Sequence, residues 1–169
     1  MIAMPEIART RPAEDADERG TVTGLLDFLR ATVELKLSGL TEEQAFARPV
    51  HPSALTPGGI IKHLTGVERF WFAIDFAGLD VEWPWSDENP HGCFPIEPGD
   101  TVDGLLTAYR AECARSREIT AAASLDDQAR SEGMECTLRY AVVHLIEETA
   151  RHVGHLDLLR ESTDGLVGE

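Results

Sequence analysis

The chain has little cysteine, and its three residues, Cys93, Cys113 and Cys136, form no CxxC pair. An odd, scattered set of thiols excludes a disulfide framework and points to a reducing cytoplasm. Basic side chains are also scarce: 15 Lys and Arg stand against 30 Asp and Glu, a formal charge of −15. Nucleic-acid affinity comes largely from neutralising phosphates, so no nucleic-acid partner is expected. No basic amphipathic segment suits an anionic membrane surface, and no apolar run approaches the roughly 18 residues that a membrane span needs. The N-terminus shows no basic region followed by an apolar stretch, so no signal peptide is expected. A GxSxG elbow is missing, and Pro57-Gly58-Gly59 lacks the lysine context of a phosphate loop. No segment alternates as a strand, and no internal repeat or low-complexity tract occurs.

What remains is a chain of 169 residues, 43% hydrophobic and 27% charged, enough for one core. Residues 1–18 mix Pro5, Pro12, acids and arginines without a period, and are expected to form a flexible arm ahead of a single domain over 19–169. Apolar periodicity predicts a first helix from about residue 19 to Leu37, with Val22, Leu25, Leu26, Leu29 and Val33 on one face. Thr41 caps a short turn. Thr56 and Pro57 open a second long helix with the stripe Ile60, Leu64, Val67, Trp71 and Ile74, ended by Gly78. The proline-broken, aromatic segment 79–99 is long enough to be a lid or an ordered crossover that packs its tryptophans. Asp100 or Thr101 caps a third helix to about Ala122. The fourth, over 138–161, carries Leu138, Val142, Leu145, Thr149, Leu156 and Leu159 inward. Four long helices with two longer crossovers predict an all-α bundle.

The fourth helix also holds three of the six histidines. His152 falls within its apolar stripe, and Glu148 lies one turn earlier, only about 40° away around the axis. A glutamate near a core stripe is costly unless it is paired or bound to a cation. His63 sits beside the stripe of the second helix, facing the bundle. His, Glu and His with a fourth position open are the pattern of a catalytic divalent-metal site; Zn²⁺ suits it best, with Fe²⁺ and Ni²⁺ as other occupants. A hydrogen-bonded, metal-free Glu148–His152 pair with a satisfied His63 is the competing reading. His144 and His155 turn away from the core and are candidates for supporting roles. Glu147 points outward. His51 and His91 lie in proline-containing loops and are expected to be exposed. Cys113 and Cys136 are expected to be inert thiols, and Phe70-Trp71-Phe72 to be packing. Arg151 and Arg160 are candidates for attracting an acidic cofactor, with surface ion pairs to Glu147 and Asp157 as the alternative.

Two blocks carry a family resemblance. HLIEETARHVGHLDLLRE (144–161) resembles the last helix of the DinB-like, YfiT-like bundle superfamily, and GIIKHLTGVERFWF (59–72) resembles the second helix of its subgroup related to the mini-circle protein. The resemblance implies a four-helix bundle with an up-up-down-down course and a divalent metal held by His63, Glu148 and His152. The His-Glu-His set is similar to that of mycothiol-dependent maleylpyruvate isomerase relatives; Gly154 is in its usual place, but His155 stands where glutamine is usual. The resemblance also implies a thiol-dependent S-transferase or isomerase that uses mycothiol or bacillithiol, and a possible homodimer. A non-catalytic, metal-dependent small-molecule binder or stress-response protein is the rival expectation.

Overall fold

The computed structural model describes residues 7–86 and 94–167. It is all-α, and each helix begins at a chemically legible cap. Asp17 accepts from the N–H of Gly20 at the start of α1 (Glu18–Leu37). Thr41 and Gln44 form a reciprocal capping box on α2 (Glu42–Phe46). Thr56 caps α3 (Pro57–Glu68), with Pro57 where its missing N–H costs nothing. Thr101 caps α4 (Val102–Ala121), and Thr137 caps α5 (Leu138–Asp164). Gly165, at φ 78°, ends α5 in a left-handed conformation that glycine adopts without strain.

One helix departs from the expected period. Beyond Glu68, α3 continues as a π-helix over Arg69–Phe76, and the N–H of Ala77 reaches back five residues to the carbonyl of Phe72. The wider turn changes the phase of the buried face. Phe72, Ala73, Asp75 and Phe76 are buried, whereas Trp71 and Ile74, on the stripe projected at the α-helical period, are only half-buried.

Cross-helix pairs set the directions. Arg139 near the start of α5 bonds Glu18 at the start of α1 at 2.7 Å, and Arg160 near the end of α5 donates to the carbonyl of Lys36 near the end of α1 at 2.9 Å. These helices are therefore parallel. Lys62 reaches Asp100 at 3.0 Å and Arg69 reaches Glu112 at 2.8 Å, so α3 and α4 are parallel to each other. Arg110–Glu34 and Arg117–Asp27 show that α4 runs against α1. The course is up-down-down-up, which corrects the up-up-down-down expectation. An up-up-down-down bundle needs two connections that traverse its length. Here only 77–101 does so; 122–137 joins neighbouring ends of antiparallel α4 and α5, and ties itself with a single isolated bridge between Gln128 and Thr137.

The core divides into two clusters. One joins Val33, Leu37, Ile60, Leu64, Leu105, Tyr109 and Leu156; the other joins Leu26, Val67, Phe72, Leu138 and Leu145. Among these side chains lies a charged pair that periodicity does not announce: Arg30 donates to both carboxylate oxygens of Glu68, at 2.7 and 2.6 Å. Of the N-terminal segment, Arg9 and Arg11 both lie over the Phe28 ring of α1, and Arg9 also bonds Thr32. Pro12 packs so close to Gly24 that a side chain there would come within 2.8 Å of it.

Candidate metal centre

Because α3 and α5 are antiparallel neighbours, a residue early in α3 faces the second half of α5. His63 Nε2 lies 3.2 Å from Oε1 of Glu148, and His152 Nε2 lies 3.1 Å from the same oxygen. Both imidazoles are buried, and the three ligand atoms all lie within 4.8 Å of one another. Two donors and one carboxylate oxygen thus meet at a point. The i and i+4 positions of one helix and a single residue of its neighbour suffice to build it.

The donor set can be tested for its fit to a metal. Ligand atoms about 2.0–2.1 Å from a tetrahedral Zn²⁺ stand roughly 3.3 Å apart, close to the spacings found between each histidine and the carboxylate. The protonation states also fit. Burial pushes the pKa of both imidazoles below the ordinary histidine value, keeping them neutral, as ligation requires. Burial alone would raise Glu148, but hydrogen bonding from His63 and the proximity of His152 outweigh it, so the carboxyl is held below its usual range and stays ionised.

Neighbouring side chains hold the three in place. His155 Nδ1 lies 3.4 Å from His152 Nδ1, within reach of a single hydrogen bond between the two rings. Arg151 donates to Oε2 of Glu148 at 3.2 Å, leaving Oε1 to the histidines. The ring of Phe94 stacks on His63 with centroids 4.3 Å apart and planes within 13°. Among the described residues His63 Nδ1 is buried without a hydrogen-bond partner, so the ring is held by the stacking and by the Glu148 contact at Nε2. Phe94 comes this close because residue 59 is glycine: a Cβ there would sit 2.4 Å from the Phe94 carbonyl oxygen. Lys62 ties the same crossover down, donating to the Pro95 carbonyl and to Glu97 and Asp100.

Other expected residues fall elsewhere. His144 is not in the cluster; it lies against Trp71, at 4.3 Å between centroids, and stacks with Tyr140. Arg151 pairs with Glu147 as well as Glu148. Arg160 is buried, binds Asp164 and donates to the carbonyls of Lys36 and Ser38, while Asp157 pairs with Lys36. Its guanidinium is therefore committed to clamping α5 to the end of α1 and is not open to a cofactor, which corrects both the cofactor expectation and the Asp157 pairing. Burial pushes the thiol pKa of Cys113 and Cys136 up, and neither belongs to the cluster. Trp83 and Trp85 pack on Phe70, with Trp83 still largely exposed. His51 is exposed. His91 and Cys93 lie outside the described residues. Phe94 and Lys62 were missed by sequence reasoning; the Gly58-Gly59 pair at the helix start, a mark of close backbone approach, was the signal that bore on Phe94.

The Mycothiol-S-transferase family profile matches residues 21–165, which takes in all five helices except the first turn of α1. The chain belongs to the mycothiol S-transferase family. No curated protein matches it. Membership fits the resemblance carried by the two helices. As in the sequence reading, no helix among the described residues of this mycothiol S-transferase family member is long and apolar enough to cross a membrane.

Proposed function

We propose that this chain is a cytoplasmic, metal-dependent transferase that joins a low-molecular-weight thiol of the mycothiol type to an electrophilic small molecule. The observation that carries this reading is the convergence of His63 and His152 on one oxygen of Glu148 within a mycothiol S-transferase family member. His63, Glu148 and His152 would hold the cation, Zn²⁺ by the chemistry of the donors, and three protein ligands leave a position open. When bound, the cation would supply Lewis acidity that brings a coordinated thiol's pKa into the physiological range. The chain's own residues do the rest. Arg151 fixes which Glu148 oxygen faces inward, His155 braces the His152 ring through Nδ1, and Phe94 shields the His63 ring from water. Among the described residues, the thiols of Cys113 and Cys136 both lie outside the cluster.

Metal analysis of protein purified without a nickel column tests the centre. Close to one equivalent is expected, with His63→Ala and His152→Ala each losing it; well under one equivalent, unchanged in both variants, would refute it. Thiol consumption with mycothiol and an electrophile such as chlorodinitrobenzene or a maleyl compound tests the reaction. Metal uptake without turnover by mycothiol or bacillithiol across an electrophile panel would leave a binder and not an enzyme.

A further inference from the structure

A second polar constellation lies away from the metal cluster, in the groove between α1 and α4. A cavity of about 640 Å³ opens there, lined by the guanidinium side chains of Arg19, Arg30 and Arg117, the carboxylate of Asp27, and apolar surface from Leu26 and Val142. Its size is within the range of small-molecule sites, and a largely apolar wall with a few convergent polar groups is their usual make-up. None of its lining residues belongs to the His63–Glu148–His152 group.

The charges do not cancel. Arg30 is matched by Glu68 behind it, at 2.6 Å, and also bonds Asp27 at 2.9 Å. Arg117 shares Asp27 through its Nε at 2.9 Å. Arg19 spends its two terminal nitrogens on the carbonyl oxygens of Thr120 and Ala123, at 3.0 and 2.6 Å. Three guanidiniums thus face two carboxylates, in a chain with twice as many acids as bases. One positive charge is left over. Arg117 is bonded only through Nε among the described residues, so both of its terminal nitrogens remain as donors, at a half-exposed position.

We propose that this cavity binds a small monocarboxylate with an apolar body. A single negative charge neutralises the surplus, whereas a phosphate monoester brings closer to two at neutral pH. The planar fork of Arg117 matches the two oxygens of a carboxylate, and Leu26 and Val142 cover the hydrocarbon part. The site is independent of the metal cluster and of thiol transfer.

Calorimetric titration of the full-length, metal-loaded protein tests this, with octanoate and 4-phenylbutyrate as probes and their amides as neutral controls. Saturable one-site binding of a carboxylate is expected, with the matching amide weaker. Arg117→Met keeps the side-chain stem but removes the charge, and is expected to weaken carboxylate binding by roughly tenfold to a hundredfold. Thr23→Phe fills the cavity without altering a charge and is expected to abolish binding; a folded circular-dichroism spectrum is checked for each variant. The metal ligand variant His152→Ala is expected to bind the carboxylates as the parent does. Absence of saturation by both carboxylates, equal affinity for the amides, or unchanged affinity in Arg117→Met would overturn the proposal. Loss of carboxylate binding in His152→Ala would do the same, because the ligand would then be occupying the metal centre.

Discussion

Two buried polar clusters share α3, five residues apart, and they are built on opposite principles. At Glu68 the charges are closed: Arg30 covers both carboxylate oxygens and its remaining nitrogen is taken by Asp27. At His63 the groups converge: two imidazoles point at one oxygen, and Nδ1 of His63 has no hydrogen-bond partner among the described residues. A closed pair holds helices together and has nothing left to bind. Donors that converge on one carboxylate oxygen hold less together and have a direction in common. The contrast separates structural burial of charge from burial that can do chemistry.

The largest effect should come from opening the closed pair. Glu68→Ala strands the Arg30 guanidinium in the core and is expected to cost about 3–5 kcal/mol in urea unfolding, as broken buried pairs do. If the variant unfolds with the parent's midpoint, the pair is not a structural element. His63→Ala should do the reverse. Its apo form is expected to lose less stability than Glu68→Ala, while Zn²⁺ affinity, read by competition with a chromogenic chelator, falls by at least about a hundredfold, more than the loss of an orienting partner causes. Removing metal with chelator should then lower the parent's Tm and leave that of His63→Ala unmoved.

Arg160 and Arg151 sharpen the same division on a single helix. Arg160→Met should cost about 1–3 kcal/mol, because the buried carbonyls of Lys36 and Ser38 lose their donor, with Zn²⁺ affinity unchanged. Arg151→Ala should leave stability nearly intact but weaken Zn²⁺ by about tenfold, through the loosened Glu148. Equal metal losses in the two variants would erase the distinction.

The smallest effect lies at Asp75, a third buried carboxylate on the π-helical turn, with neither a closing cation nor a converging donor. Its Oδ2 is buried without a hydrogen-bond partner among the described residues, and burial pushes its pKa from 3.8 up to about 6. Between those values the unfolded chain has lost the proton that the folded one retains, so the contribution of Asp75 to stability falls as pH rises from about 4 to about 6. Asp75→Asn should flatten that slope in urea titrations, by on the order of 1 kcal/mol. A parent-minus-variant difference in stability that stays flat or rises over the same interval would contradict the assignment.

Much of this was readable before folding. The caps at Thr41, Thr56 and Thr101 depend on one side chain and an N–H three residues on, so local sequence is enough. The inward phase of His152 and Leu156, and of His63 against Leu64, follows from the helical period over a few turns. The stripe misplaced Trp71 and Ile74 because a π-helix changes the period, and no single residue in 69–76 announces one. Nothing local marks Arg30, Glu68 and Glu112 as buried, because their partners lie 38 and 43 residues away. Phe94 read as one aromatic among several in a long crossover, and only its approach over Gly59 makes it a wall of the metal centre.

By itself, then, the sequence determined an all-α chain, the start of each long helix to within a residue or two, and most of the side chains that it turns inward, since all of these depend on interactions within a turn or two. Tertiary structure alone decided the up-down-down-up course, the closure of Arg30 onto Glu68, and the meeting of His63 with Glu148 and His152. Those depend on which helices become neighbours and in which direction they run. That choice is made by how the long connections are spent and by apolar burial shared across the whole chain, and no local window contains it.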